Sequence, residues 1–255
     1  MLPRAKKRFG QHFLTDRHYL ARIIDAIAPK PGDSMVEIGP GTGILTEALE
    51  PKLARLHVVE IDRDLAADLA ARFPEDKLVV HRADALEFDF AALAAPLRVV
   101  GNLPYNVSTP ILFRIATIAE RLADAVFMLQ KEVVERMVAA PGTQAYGRLS
   151  VMLQYRFEMA LIFRVPPGAF TPPPKVDSAV VLMKPLPAGR PRAGDEDLFA
   201  KIVMAAFSQR RKMLRSALRS LVPAEAFAQA RIDPQRRGET LSVAEFIALC
   251  DATGS

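Results

Sequence analysis

From about residue 34 to about residue 130 the chain alternates short apolar, β-branched runs with amphipathic stretches of helical period. The runs are SMVEI, LHVVEI, KLVVH, RVVGN and DAVFMLQ. That rhythm predicts βαβ units and a mostly parallel sheet. Near-continuous hydrophobicity inside the runs, as at Val58-Val59 and Val99-Val100, suits strands covered by helices on both faces. Further on, LIFRV (161–165) and SAVVLMK (178–184) flank the loop PPGAFTPPPK, whose prolines lack backbone donors and cannot continue a crossover helix. An antiparallel hairpin at the sheet edge is expected there. The stretch LPAGRPRAGDED (186–197) concentrates Pro, Gly and charge, and the pattern beyond it is purely helical. A boundary at this point divides the chain into an α/β domain, 1–187, and a small all-α domain, 188–255. In the second, 198–221 reads as an amphipathic helix, and TLSVAEFIAL (240–249) opens on a capping-box pattern in which Ser242 precedes Glu245 by three residues.

A chain of 255 residues can bury the core of such an arrangement without staples. A lone cysteine, Cys250, can neither build a disulfide framework nor supply a metal cluster, and no metal is expected. The opening MLPRAKKRFGQHFL is basic but has no apolar run of signal-peptide length, and no later stretch is long enough for a bilayer. A cytoplasmic protein without membrane contact, acting as a monomer, is expected. The net charge of +5 and pI near 9.5 are modest, so distribution decides what they mean. Residues 1 to 22 hold Arg4, Lys6, Lys7, Arg8, Arg17 and Arg22 against Asp16 alone, and 201 to 220 hold Lys201, Arg210, Arg211, Lys212, Arg215 and Arg219 with no acid. Each cluster is either a solvated helix face or an attractor for a polyanion; the two taken together with the candidate chemistry described next favour nucleic acid.

Candidate chemistry sits at strand ends. Glu37-Ile38-Gly39-Pro40-Gly41-Thr42-Gly43 follows the first strand and opens a helical pattern. Its glycines let the backbone turn sharply and approach a ligand at the carboxyl edge of an open α/β sheet. A dinucleotide loop would read GxGxxG; this one reads GxGxG behind an acid, and Glu37 suits a cationic sulfonium and amino group better than a pyrophosphate. Glu60 ends the second strand, where a carboxylate can accept from ribose hydroxyls, or can be a surface acid. Asp84 follows the third, placed to accept from an adenine amine or to cap a helix.

After the fourth strand comes Gly101-Asn102-Leu103-Pro104-Tyr105-Asn106. An aromatic amine is a poor nucleophile because its lone pair is delocalised into the ring. If its two N–H groups donate to the Asn102 side-chain oxygen and the Leu103 carbonyl, the nitrogen can pyramidalise toward a methyl donor. Pro104 fixes the turn and Tyr105 can stack on the base. Catalysis would be positioning and electrostatic complementarity. Phe170, in the proline-rich loop, is either a second aromatic wall or a hydrophobic plug.

Together KKRFGQHFL, VEIGPGTGILT, VVEID, ADAL, GNLPYN, PPGAFTPPPKVDSAV, FSQRRKMLRSAL and RGETLSVAEF resemble, in order and over essentially the whole length, the bacterial small-subunit ribosomal RNA adenine dimethyltransferases. The resemblance implies a Rossmann-like class I methyltransferase domain with a mostly parallel seven-stranded sheet and an antiparallel edge hairpin, followed by the small helical RNA-contacting domain. It implies S-adenosyl-L-methionine as cofactor and, as substrate, two adjacent adenosines in a 3′-end hairpin loop of 16S rRNA within the immature small ribosomal subunit. By motif position the cofactor contacts fall on His12, Leu14, Gly39, Glu60, Asp84 and Asn102, and the catalytic set on Asn102, Leu103, Pro104, Tyr105 and Phe170. Arg210, Arg211, Lys212 and Arg215 would meet the RNA. The family more often has Asn where this chain has His12, although an imidazole can also donate or accept one bond. The alternatives are the antibiotic-resistance relatives that act on large-subunit (23S-type) rRNA, a DNA adenine methyltransferase, a mainly non-catalytic subunit-assembly factor, and, weakest, a nicotinamide oxidoreductase.

Overall fold

A computed structural model describes residues 12–254; Arg4, Lys6, Lys7 and Arg8 of the amino-terminal basic cluster lie outside the described residues. In chain order the elements begin with β1 (Phe13–Leu14), α1 (Arg17–Ile27), β2 (Ser34–Ile38), α2 (Ile44–Leu49), β3 (Leu56–Glu60), α3 (Arg63–Arg72), β4 (Leu78–Arg82) and β5 (Leu97–Asn102). They continue with α4 (Ser108–Thr117), β6 (Leu122–Gln130), α5 (Lys131–Met137), α6 (Arg148–Gln154), β7 (Phe157–Val165), β8 (Phe170–Thr171) and β9 (Ser178–Pro185). The last helices are α7 (Glu196–Ser208), α8 (Leu214–Ala217), α9 (Ala224–Gln229) and α10 (Val243–Gly254). No helix among the described residues is long and apolar enough to cross a membrane.

Each apolar run singled out in the sequence is a strand of one seven-stranded sheet in the order β4-β3-β2-β5-β6-β9-β7. β2 through β6 pair in parallel and β9 is antiparallel to β6. Burial follows position. The central β2 and β5 are buried at nearly every residue, whereas β7, at the edge, alternates buried and exposed positions as a strand with one covered face must. β8, inside the proline-rich loop, was not legible as a strand; it pairs antiparallel with β1 and places Phe13 opposite Thr171 and Leu14 opposite Phe170.

The chain runs from β2 outward to β4, then returns to the other side of β2 with β5. This reversal leaves the carboxyl ends of β2 and β5 side by side, the place where open α/β sheets bind ligands. Gly101 makes the approach possible: a Cβ there would lie 2.4 Å from the Ile38 carbonyl oxygen. The opposite end of β5 is fixed by Arg98. Its guanidinium donates to Asp33 and Asp124, 2.5 and 2.8 Å away, and to the terminal carbonyls of α1 at Ile27 and Ala28. Burial lifts the Asp33 carboxyl, but the Lys30 amide and Arg98 outweigh it and hold it below the ordinary range.

Residues 135–157 and 186–254 form a second compact unit, apart from the sheet unit of 12–134 and 158–185. The division expected at 187/188 left 135–157 with the sheet. These residues belong with the carboxyl-terminal helices because Tyr146, Val151 and Tyr155 are buried in one core with Phe199, Phe227 and Phe246. Tyr155 stacks on Phe199 at 4.4 Å between ring centroids, and its hydroxyl donates to Glu196 at 2.9 Å. The Ser242 capping box has both arms, Glu245 N–H to Ser242 Oγ at 3.2 Å and Ser242 N–H to Glu245 Oε2 at 2.8 Å. The single helix expected over 198–221 is instead α7, ending at Ser208, a turn, and the short α8.

Gly101→Ala is expected to cost about 1–3 kcal/mol in urea unfolding, because backbone must move to admit the methyl group. Gly32→Ala, with open space around the new carbon, should change stability by less than about 0.5 kcal/mol.

Candidate functional site

A cleft opens at the carboxyl edge of the sheet. It is lined by the loops after β2, β3, β4 and β5 and by His12, Phe13 and Leu14. In the first loop Gly39, Gly41 and Gly43 have φ of 65°, 59° and 84°, a left-handed run that bends the chain away from the strand and into α2. Gly39 N–H donates to the Val59 carbonyl at 2.9 Å, and Gly41 N–H to Glu60 Oε2 at 3.1 Å, so the loop is tied to β3. Phe13 closes over it: a Cβ on Gly41 would stand 3.1 Å from that ring.

Two buried acids lie beneath the loop. Glu37 is 1 % exposed and accepts from the Thr46 hydroxyl at 2.7 Å. Burial pushes its carboxyl up to about 8; the Thr46 bond pulls the other way, and the nearby Glu60 carboxylate adds to the rise. At neutral pH Glu37 is therefore mostly protonated. It offers a hydrogen-bonding carboxyl rather than the counter-charge expected for a cation. Glu60, 4 % exposed, accepts from the Asp62 amide through Oε1 at 2.8 Å and from Gly41 through Oε2. Burial raises it as well, more than those amides lower it. A carboxylate has about four acceptor positions; the backbone amides of Asp62, Gly41 and Ile61 all bear on this one without filling them. Asp84 lines the cleft and also builds its own loop, accepting from Leu86 N–H at 2.9 Å; the cap-like role and the cleft position coexist.

The GNLPYN turn faces these groups and is held from three sides. Leu103 N–H donates to Met128 of β6 at 3.1 Å, and Val107 N–H to Pro104 at 3.2 Å. Asn102 Nδ2 donates to the His12 carbonyl at 3.1 Å. A carbonyl only accepts, so this contact assigns the amide nitrogen to His12 and leaves Oδ1 as the acceptor for another partner. Tyr105 Oη lies 2.6 Å from Ser178 Oγ. The His12 ring bonds through Nδ1 to the Pro172 carbonyl at 2.8 Å and lies 5.4 Å from the Tyr105 ring, tilted by 31°.

Thus His12, Leu14, Gly39, Glu60, Asp84, Asn102, Leu103, Pro104 and Tyr105 all line one cleft. Phe170 is not among the residues lining it. It is 3 % exposed and shares a core with Leu14, Met128, Phe163 and Val180, because β8 pairs with β1 and turns that ring inward. Three contributors escaped sequence reasoning. Phe13 and Ser178 stood inside motifs already noticed, without a signal for their partners. Ile61, 49 % exposed and lining the cleft, carried the signal of an apolar residue directly after the Glu60 strand end.

The basic cluster is not uniform. Arg210 donates to Glu239 at 2.6 Å and to the Gln144 carbonyl at 2.6 Å, so its charge serves the fold of its own unit. Arg211, Lys212 and Arg215 are exposed.

Fold and cleft together define an α/β domain of the methyltransferase type, with an acidic, glycine-cradled pocket beside an Asn-Leu-Pro-Tyr turn. The chain belongs to the ribosomal RNA adenine dimethylase family, whose model matches residues 3–253. The relative named ribosomal RNA small subunit methyltransferase A in Aromatoleum aromaticum is 59% identical over 96% of this chain and 93% of its own. The protein of the same name in Laribacter hongkongensis is 57% identical over 98% and 96%. Among solved structures, a dimethyladenosine transferase from Plasmodium falciparum superposes with a TM-score of 0.79 at 25% identity, covering 93% of this chain and 96% of that one. The 23S rRNA methyltransferase ErmE shares the fold, with a TM-score of 0.71 at 24% identity over 95% and 100%.

The protonated Glu37 has a consequence for stability. Its folded-state value of about 8 lies above the ordinary 4.5, so between those limits the folded chain holds a proton that the unfolded chain has lost. Stability from this group is present at low pH and disappears as pH rises toward 8. Urea midpoints measured from about pH 5 to about pH 8.5 should fall for the wild type and fall less for Glu37→Gln. Glu60, raised too, adds a slope of the same sign that persists in the variant.

Proposed function

We propose that the chain transfers methyl groups from S-adenosyl-L-methionine to the N6 amines of two adjacent adenosines in a 3′-end hairpin loop of 16S rRNA, each twice, in the immature small ribosomal subunit. The observation that carries the reading is the Asn102 amide, whose nitrogen is committed to the His12 carbonyl while its oxygen is left to accept, in the turn that also holds Tyr105.

The pocket suits the cofactor. Glu60 would take the ribose hydroxyls, Asp84 the adenine amine and Ile61 the adenine face, with Gly39, Gly41, His12 and Leu14 bordering the methionine portion. Bound there, the cofactor supplies an electrophilic methyl group on a sulfonium sulfur. The chain's own work is on the nucleophile. In the first transfer Asn102 Oδ1 and the Leu103 carbonyl accept from the two N–H groups of the adenine amine, which draws its lone pair out of the ring; in the second the monomethylated amine has one N–H left to donate, and after each transfer the nitrogen releases a proton to solvent. Pro104 fixes the two acceptors relative to each other. Tyr105 stacks on the base once it has left its own stack. Because the turn is bonded to β6, His12 and Ser178 beforehand, little reorganisation accompanies the reaction.

Small-subunit RNA is favoured over large-subunit RNA by the names of the relatives at 59% and 57% identity, whereas the likeness to ErmE at 24% concerns the fold. The intact Asn102–Tyr105 turn supports activity over a purely binding role in subunit assembly. Arg211, Lys212 and Arg215 would meet RNA phosphates.

The test is transfer from labelled cofactor to small subunits lacking the modification, followed by mapping of the labelled nucleotides; label only in large-subunit RNA would overturn the assignment. Asn102→Ala should cut transfer by about 100-fold or more, with cofactor and subunit binding largely kept. Replacing Arg211, Lys212 and Arg215 by Glu should weaken subunit binding and flatten its salt dependence. Affinity equal to wild type at every salt concentration would return these side chains to ordinary solvated surface.

A further inference from the structure

We infer that Ser178 is a positioning residue for methyl transfer: its buried hydroxyl, delivered from β9, holds the Tyr105 ring at the angle at which the target base stacks. The inference rests on the reading of Tyr105 as the stacking residue.

Ser178 opens β9 and is 0 % exposed, and its Oγ lies 2.6 Å from Tyr105 Oη, a close O–H···O contact in which either hydroxyl can donate. Its location is set by sheet register rather than by the turn. β9 is antiparallel to β6 with Ser178 opposite Gln130 and Val180 opposite Met128, while Met128 on its other side faces Asn102 of β5. β6 thus carries the amine acceptor on one flank and the tyrosine anchor on the other. A platform that only had to be flat and apolar would need no hydroxyl. Here the hydroxyl is partly buried against another that has no access to solvent, and each answers the other's need for a partner.

The geometric consequence concerns the ring plane. A tyrosine side chain has two main torsions. The turn fixes its Cα end through the Pro104–Val107 bond, and Ser178 fixes its far end. With both ends held, the ring cannot swing, and an incoming base meets a surface already oriented for in-line attack. Burial pushes the Tyr105 phenol above its ordinary value, so it stays a hydroxyl across the working pH range and the bond persists.

The experiment is steady-state kinetics on unmodified small subunits with the wild type, Ser178→Ala, Tyr105→Phe and the double variant. Each single change should lower kcat about three- to tenfold, the range of one lost hydrogen bond, with KM for the cofactor within about twofold. The double variant should be no slower than the slower single, because both changes remove the same bond. Losses that multiply in the double variant, or a change confined to cofactor KM, would overturn the tether and leave Ser178 a space-filling residue. Should Ser178→Ala fail to fold, Tyr105→Phe decides alone, since it keeps ring and stack; undiminished kcat would then remove the role. Transfer by the wild type with no loss in any variant sinks the tether only, whereas a wild type that transfers no methyl group takes the adenine reading and the tether down together.

Discussion

The carboxyl ends of β2 and β5 meet with no room for a side chain between them, since a Cβ on Gly101 would sit 2.4 Å from the Ile38 carbonyl oxygen. Everything at the site follows from that approach. The glycine loop continues from Ile38 and the Asn-Leu-Pro-Tyr turn continues from Gly101, so two segments some sixty residues apart leave the sheet as neighbours. Arg98 anchors the other end of β5 through Asp33, Asp124 and the last carbonyls of α1. The strand is held at its far end while its near end leads into the Asn102–Tyr105 turn that lines the cleft.

The polar groups of the cleft are bonded to the chain around them before any ligand arrives. Glu60 accepts from the backbone of its surroundings, at Gly41, Asp62 and Ile61, and keeps part of its acceptor capacity. Glu37 spends its proton-poor oxygen on Thr46 and, being buried, holds a proton near neutrality. One acid therefore remains available for hydroxyl groups while the other supports the floor. The turn is treated in the same way: Asn102 is oriented by β1's neighbour His12, and Tyr105 by β9. Preorganisation of this kind suits a reaction in which geometry and electrostatics carry the rate.

The basic residues of the second unit divide by chemistry that charge counting does not reveal. Arg210 is bound to Glu239 and to a carbonyl, which places it among the contacts holding the unit together. Arg211, Lys212 and Arg215 stand in the turn and short helix beyond α7 and keep their surfaces in water. A charge reversal at Arg210 would disturb a local ion pair as well as any RNA contact, so the other three report on binding more cleanly.

Local patterns in the chain by themselves determined the strands, the parallel sheet, the capping box at Ser242 and the two motifs that line the cleft. Period, glycine spacing and turn chemistry act over a few residues, and they could be read directly. Pairing between distant segments could not. The β1–β8 ribbon buries Phe170 behind the site, residues 135–157 join the carboxyl-terminal helices through Val151 and Tyr155, and Ser178 reaches Tyr105 past the intervening β6. Each of those outcomes depends on which surfaces meet after folding. Only the tertiary structure decided them, because a side chain's partner is chosen by packing and register, and neither is written in its immediate neighbours.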